Sequence, residues 1–326
     1  MNYSGSKFSL LDFLNNSINS ILETEKKIKS KSEMIFADLF AGTGCVGGYF
    51  KSQGYSIIAN DIQYYSYVIT KHMIENNGNL DKERMNTLID KLNNLEGIEG
   101  FIYKNYSHGG TEGQEFRRMY FSDYNAKKCD AIRNQIEDWR NTNYINDNEY
   151  YFLLGSLINS IDKYANTASV YGAYLKNLKK SAQKNMVLIP LPYTSGHVNC
   201  KVYNEDANEL ITKIGGDILY LDPPYNARQY CSNYHILETI ARNDNPIIKG
   251  KTGLRDSSSQ KSDFCIKNKV ESSFEYTIKT IMSKYGEYKV FTKEYKRFKA
   301  DSKRTNKANS TIEYLHCLIK RRITND

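Results

Sequence analysis

The residues of this sequence best equipped for chemistry are Asp222-Pro223-Pro224-Tyr225. They follow Asp217-Ile218-Leu219-Tyr220-Leu221, a short run that is apolar after its first residue and reads as a buried central strand. Two consecutive prolines permit neither a continuing strand nor an immediate helix, so the chain turns outward there. The turn leaves a carboxylate, a proline carbonyl and an aromatic ring at a strand's carboxyl end, where ligands of open α/β sheets bind. That trio suits methylation of an exocyclic amine. The lone pair of adenine N6 is delocalised into the ring, which makes the amine a poor nucleophile. Asp222 and the Pro223 carbonyl can each accept one N–H and draw the nitrogen toward a pyramidal geometry, while Tyr225 stacks on the base. On four residues alone, an acidic strand end before a proline turn remains an equally good account.

Several elements must position such a group. Met34 to Phe40 reads as a strand running into Asp38-Leu39-Phe40-Ala41-Gly42-Thr43-Gly44, with a helix predicted from Cys45 to Gln53. A strand entering a Gly-x-Gly turn before a helix is a nucleotide-binding arrangement, because glycines let the backbone approach a ligand closely. The third dinucleotide glycine and a P-loop lysine are both missing, which argues against a pyrophosphate or triphosphate. An adenosine with a zwitterionic amino-acid tail fits better. Tyr55 to Ala59 forms the next strand, and Asp61 lies at its tip, about 20 positions past the glycine turn, where an acid can bind ribose hydroxyls. Cys200 to Tyr203 resumes the sheet, and Asp206 follows it, placed to bind a ligand amine or to cap the helix Asn208 to Ile214. At the start, Gly5 precedes Lys7 and a run with helical spacing from Phe8 to Leu22, so that Lys7 projects from the first turn.

Size and charge bound the rest. A chain of 326 residues accommodates one large α/β domain with an insertion, or two domains. The formal charge of +8 favours an acidic partner such as nucleic acid. Six cysteines and five histidines are scattered without zinc spacing or a disulfide framework, so no metal site is expected. There is no basic-then-apolar leader and no 18-residue apolar run. A reducing cytosol and no membrane partner are the expectation.

Between Ile62 and about Pro192 the pattern turns helical: Tyr64 to Asn76, Asp81 to Leu92, Asn125 to Trp139, Asn148 to Tyr164 and Val170 to Lys179. This is too long for a simple crossover and reads as an inserted, mostly helical subdomain. Its cations, Arg117, Arg118, Arg133, Arg140, Lys176, Lys179, Lys180 and Lys184, are interleaved with tyrosines that can meet phosphates and bases; a solvated helical surface is the plainer account. Past Tyr225, Tyr234 to Ile240 reads as a helix, and polar Asn243 to Lys269 as a mobile loop over the site. Tyr288 to Thr292 and Ile312 to Ile319 read as a terminal hairpin. Between them Lys293, Lys296, Arg297 and Lys299 open a basic loop fit to contact phosphates.

In combination, Tyr3-Ser4-Gly5-Ser6-Lys7, the Asp38 to Gly44 turn, Asp61, Asp206 and Asp222-Pro223-Pro224-Tyr225-Asn226 resemble the D12 class of adenine-N6 DNA methyltransferases, the Dam-like enzymes. The order, with cofactor motifs before the insertion and the tetrapeptide after it, is that of the alpha group. The resemblance implies an α/β class I methyltransferase fold, a Rossmann-like doubly wound sheet, over 1–62 and 195–326. Residues 63–194 would then be the target-recognition insertion. It also implies S-adenosylmethionine as cofactor and an adenine flipped from duplex DNA as substrate. By similarity, Tyr3 and Lys7 border the cofactor's methionine end, Asp38, Phe40, Gly42 and Gly44 hold that end and the ribose, Asp61 binds the ribose, and Asp206 meets the adenine. Catalysis falls to Asp222, Pro223, Pro224 and Tyr225, and Arg297 resembles the family's late basic element near the DNA backbone. A modification role in the prokaryotic cytosol, near the nucleoid, follows, with a cognate restriction endonuclease encoded nearby and a monomeric or weakly dimeric state. In one respect the sequence departs from the family: no strand ending in a Ser-Tyr-Asn-like turn is found around Phe274 to Gly286. Methylation of cytosine N4, of RNA or of a protein amide, and a catalytically impaired DNA-binding relative, stay open beside the main reading.

Overall fold

The computed structural model describes residues 6–23, 29–78, 80–196, 199–223, 229–266, 269–285, 288–299 and 309–320. In chain order, α1 (Leu11–Leu22) precedes β1 (Ile35–Asp38), α2 (Cys45–Ser52), β2 (Ser56–Asn60) and α3 (Tyr64–Thr70). A largely helical stretch follows: α4 (Lys82–Asn93), α5 (Phe101–Tyr106), α6 (Asp123–Asn141) and α7 (Asp147–Lys163). Then come β3 (Cys200–Tyr203), α8 (Ala207–Leu210), β4 (Ile218–Leu221), α9 (Tyr230–Asn233) and α10 (His235–Arg242). A short hairpin of β5 (Ile248–Lys249) and β6 (Leu254–Arg255), then α11 (Val270–Tyr285), β7 (Tyr288–Lys299) and β8 (Asn309–Lys320), complete the described elements.

Six strands form one sheet in the order β3-β2-β1-β4-β8-β7. The first four are parallel, the arrangement expected when each strand returns through a helical crossover. Strand β4 is buried along its whole length, as its apolar run demands. Phe36 of β1 stacks on Phe50 of α2 with ring centroids 4.2 Å apart, and Tyr55 packs edge-on against both rings. Each such pair contributes about 0.5–1.5 kcal/mol beyond its burial. This mixed α/β architecture with a parallel core is consistent with a class I methyltransferase.

Beyond β4 the sheet turns antiparallel. Residues 270–285 are helical, so no strand occupies the place where the family pattern calls for one. The seat beside β4 is taken instead by β8, with Tyr220 opposite Cys317, so the tetrapeptide's strand keeps neighbours on both sides. The expected terminal hairpin is present as β7 and β8, and it is longer than predicted. Lys293, Lys296, Arg297 and Lys299 therefore lie within a strand and not in a loop, in antiparallel pairing that runs from Tyr288 opposite Lys320 to Lys299 opposite Asn309. Their side chains are outside what the structure describes.

The helical stretch differs from expectation in two places. Residues 170–179, predicted as a helix, are a series of turns. Here Tyr171 is fully buried, and the Asn166 amide receives the N–H of Lys179 while donating to the carbonyls of Leu175 and Met119, replacing helical hydrogen bonds. Conversely, α5 had no clear sequence signal. Its first N–H groups, those of Ile102 and Tyr103, donate to the Asp130 carboxylate of α6 at 2.9 and 2.8 Å, a cap supplied from 28 and 27 residues away. Among the cations grouped as DNA-facing, Arg118 and Arg133 are buried. Arg118 donates to the carbonyls of Gly250 and Lys251 in the β5–β6 turn, and Arg133 to those of Ile240 and Ala241 at the end of α10. Both are structural clasps; Arg117, Lys176, Lys180 and Lys184 remain exposed.

Candidate active site

Register alone gathers the acids. In the parallel sheet Asp38 pairs with Ala59 on one side and Tyr220 on the other, so Asp61 and Asp222 each lie two residues past a partner of Asp38. Asn60 pairs with Tyr203, which brings Asp206 to the same edge. All four carboxylates thus emerge at the carboxyl ends of adjacent strands. They line one cleft together with Lys7, Phe40 and Gly42, and its volume, including the open mouth, is about 930 Å³. Asp222 therefore faces the cleft and not the core. Pro223, the next residue, is buried and is not among the residues that line the cleft. Tyr3, Pro224 and Tyr225 lie outside the described residues.

The glycine turn is held by side chains from the neighbouring strands. Gly42 and Gly44 adopt φ of +54° and +74°, the left-handed region that a side chain resists. A Cβ on Gly44 would also sit 2.9 Å from the Thr70 methyl. Gly44 starts α2 behind the turn and does not line the cleft. The Gly42 N–H donates to Asp61 Oδ2 at 2.9 Å, and the Gln63 N–H donates to Asp61 Oδ1 at 2.9 Å. Asn60 ties the turn to the next loop: its amide donates to the carbonyls of Leu39 and Glu205 and receives the Glu205 N–H. Asp206 both lines the cleft and caps α8, accepting the Asn208 N–H at 2.8 Å. Of the two roles left open for it, the helix cap is present.

Electrostatically the cleft is acidic. Asp38, Asp61, Glu205, Asp206, Asp222 and Asp263 line it, and Lys7 is the one cation among the described lining residues. Lys7 Nζ lies 3.3 Å from Asp222 Oδ1, with both side chains largely buried. Burial pushes the Asp38 carboxyl up to about 8, against a hydrogen bond from the Phe40 N–H and with added repulsion from Asp222 and Asp61. Burial likewise raises Asp61 to about 6, opposed by the N–H groups of Gln63 and Gly42. Concentrated negative charge beside a glycine turn suits a ligand carrying cationic groups and hydroxyls, and repels a polyphosphate.

The sequence pointed to the remaining wall only as a loop over the site, without singling out its residues. Gln229, Tyr230, Gln260, Ser262, Asp263 and Phe264 also line the cleft. The segment predicted as a loop over the site does lie there, carrying the β5–β6 hairpin and two short turns. Phe264 packs edge-on against Phe40 with centroids 5.0 Å apart. Gln229 grips the backbone of Ser262 at two points, accepting its N–H at 2.9 Å and donating to its carbonyl at 3.1 Å. Only the position of this segment after the tetrapeptide hinted at such a role. Among the described residues no cluster of His, Cys, Asp or Glu could hold a metal ion. No described helix is long and apolar enough to cross a membrane.

Comparison with known proteins identifies the family. The model of the D12 class N6 adenine-specific DNA methyltransferases matches residues 3–308. The type II methyltransferase M.NlaIII of Neisseria lactamica is 46% identical over 345 residues, covering 98% of this chain and 99% of its own. The type II methyltransferase M.CviAII of Paramecium bursaria Chlorella virus 1 is 36% identical, with 96% of each chain covered. Against the type II methyltransferase M.FokI of Planomicrobium okeanokoites the identity is 37%, over 98% of this chain but 53% of that protein. No solved structure matches. With a model match over nearly its whole length and a cleft where the four acids of the sequence pattern converge, the chain belongs to the D12 class of N6 adenine-specific DNA methyltransferases.

Proposed function

We propose that this protein methylates N6 of an adenine flipped out of duplex DNA at one short sequence, as the modification enzyme of a restriction-modification system. The observation that carries the reading is the convergence of Asp222, Asp38 and Asp61 on one cleft beside the glycine turn. The relatives named as type II methyltransferases support the modification role, and a cognate endonuclease encoded nearby would complete it.

The family implies S-adenosylmethionine as methyl donor, and the residues present fit it. Asp61 and the Gly42 turn suit its ribose hydroxyls, Phe40 and Phe264 form an aromatic corner for a flat ring beside Asp206, and Asp38 suits its ammonium. When bound, it supplies a methyl group activated by a sulfonium. The chain's own part is positioning. Asp222 and the Pro223 carbonyl accept the two amine hydrogens, which localises the nitrogen lone pair. Lys7 stabilises the charge on Asp222 against the neighbouring acids until a base displaces it. Tyr225 would stack on that base. We further propose that 1–62 with 195–326 form the class I catalytic domain and 63–194 the recognition insertion, whose exposed Arg117, Lys176, Lys180 and Lys184, with the basic residues of β7, contact DNA phosphates. Transfer of a tritiated methyl from S-adenosylmethionine to unmodified duplex DNA is expected; unlabelled DNA contradicts the proposal.

A pH dependence follows from the acids. Because the folded protein holds protons on Asp38 up to about pH 8 and on Asp61 up to about pH 6, it binds more protons than the unfolded chain above the ordinary carboxylate value of 3.8. The ligand-free protein therefore loses stability as pH rises from about 4 to about 8. A cationic group against Asp38 favours its ionised form, so binding S-adenosylmethionine near pH 7 should release about one proton. Calorimetry in buffers of different ionisation enthalpy reads that number. Proton-neutral binding removes Asp38 from the cationic end of the cofactor.

A further inference from the structure

Glu238 is fully buried on α10, close enough to Asp61 for its charge to add to the upward push on that carboxyl. Its Oε2 accepts the Tyr65 N–H at 2.9 Å, and its Oε1 accepts the Tyr64 N–H at 3.2 Å. Oε1 also receives the Arg242 Nε at 2.6 Å and the side-chain amide of Gln260. One carboxylate thus joins two walls of the cleft. The first is the start of α3, three residues beyond Asp61. The second is the covering segment, where Gln260 also takes the Gln63 amide on its carbonyl at 3.2 Å. Gln63 and Gln260 both line the cleft, whereas Glu238 does not.

We infer that Glu238 is a positioning residue for the cofactor: it clamps the 260–264 segment against the start of α3, so that this wall stands fixed opposite Asp61. The inference rests on the reading of the cleft as the S-adenosylmethionine site. A carboxylate is suited to the task because all four of its partners are donors, and in a dry site each charge-assisted bond is stronger than a neutral one. An amide of the same length can accept from only one side. In Glu238→Gln one carbonyl is left for four donors. In the Oε1 place it keeps Tyr64, Arg242 and Gln260 but sets an NH2 against the Tyr65 N–H, and in the Oε2 place it keeps Tyr65 alone, so either way the clamp between α3 and the covering segment is incomplete. Removal of the Gln260 side chain, by contrast, leaves both α3 N–H groups on the carboxylate and loosens the wall alone.

The test uses the full chain with S-adenosylmethionine and duplex DNA. Glu238→Gln is expected to raise the KM for S-adenosylmethionine about ten-fold, with kcat at saturating cofactor and DNA affinity both within about two-fold of wild type. Gln260→Ala, which removes the clamp from the other side and leaves α3 capped, should reproduce that split. It keeps the inference testable if the buried Glu238 variant fails to fold. Wild-type KM in Gln260→Ala, or equal losses in cofactor binding, DNA binding and kcat in either variant, overturns it and leaves Glu238 a packing residue. A wild-type protein that binds no S-adenosylmethionine overturns the cofactor reading, and this inference with it.

Discussion

Asp222→Ala should abolish methyl transfer, with a loss in kcat on the order of 10³-fold, while affinity for S-adenosylmethionine changes only a few-fold. Asp222 is the carboxylate that lines the cleft at the end of β4 and faces Lys7 at 3.3 Å. Removing it leaves the N6 amine with one fixed acceptor, the Pro223 carbonyl, and its lone pair delocalised into the ring. Lys7 would then stand without this counter-charge beside a base that needs none. Cofactor affinity is spared because the contacts assigned to ribose and ammonium come from β1, β2 and their turns. Single-turnover assays with tritiated cofactor separate the two effects. Undiminished labelling of DNA by the variant would remove Asp222 from the chemistry.

The second large effect is on binding. Asp61→Ala should weaken S-adenosylmethionine about 100-fold while leaving kcat at saturation comparatively intact. In the folded protein the Asp61 oxygens accept the N–H groups of Gly42 and Gln63, so the side chain shapes the turn as well as offering its remaining lone pairs to a ribose. Hydrogen bonds to a charged acceptor contribute roughly 1.5–3 kcal/mol each, and two are lost along with the ligand contact. The burial that lifts Asp61 to about 6 adds a signature: wild-type affinity, already falling with pH through Asp38, should fall more steeply below that value, and the variant should keep only the shallower slope. Titration calorimetry across pH 5 to 8 resolves both. Unchanged affinity would show that another group holds the sugar.

The parts of this site that were legible from sequence share one property: they sit at strand ends. An apolar run marks a parallel strand, and the residues just beyond it must surface at the sheet's carboxyl edge, so Asp38, Asp61, Asp206 and Asp222 could be placed together without coordinates. The covering wall followed no such rule. Gln260, Ser262 and Phe264 are brought to the cleft by Glu238, Gln229 and Phe40, partners 22, 33 and 224 residues away, and none of those pairings leaves a periodic trace. Helix α5 was missed for the same reason, since Asp130 caps it from a distant helix. The 170–179 segment misled in the opposite direction. Its residues have acceptable helix propensity, but burying Tyr171 and the hydrogen bonds of Asn166 override it. At the far edge, the sequence correctly lacked a strand in 270–285 yet gave no sign that β8 would take the vacant seat beside β4.

The central claim is that the methyl group goes to adenine N6. Unmodified duplex DNA incubated with the protein and S-adenosylmethionine bearing a deuterated methyl, then digested to nucleosides, should yield deuterated N6-methyldeoxyadenosine by mass spectrometry. Label recovered as N4-methyldeoxycytidine, or DNA that carries none, would contradict it.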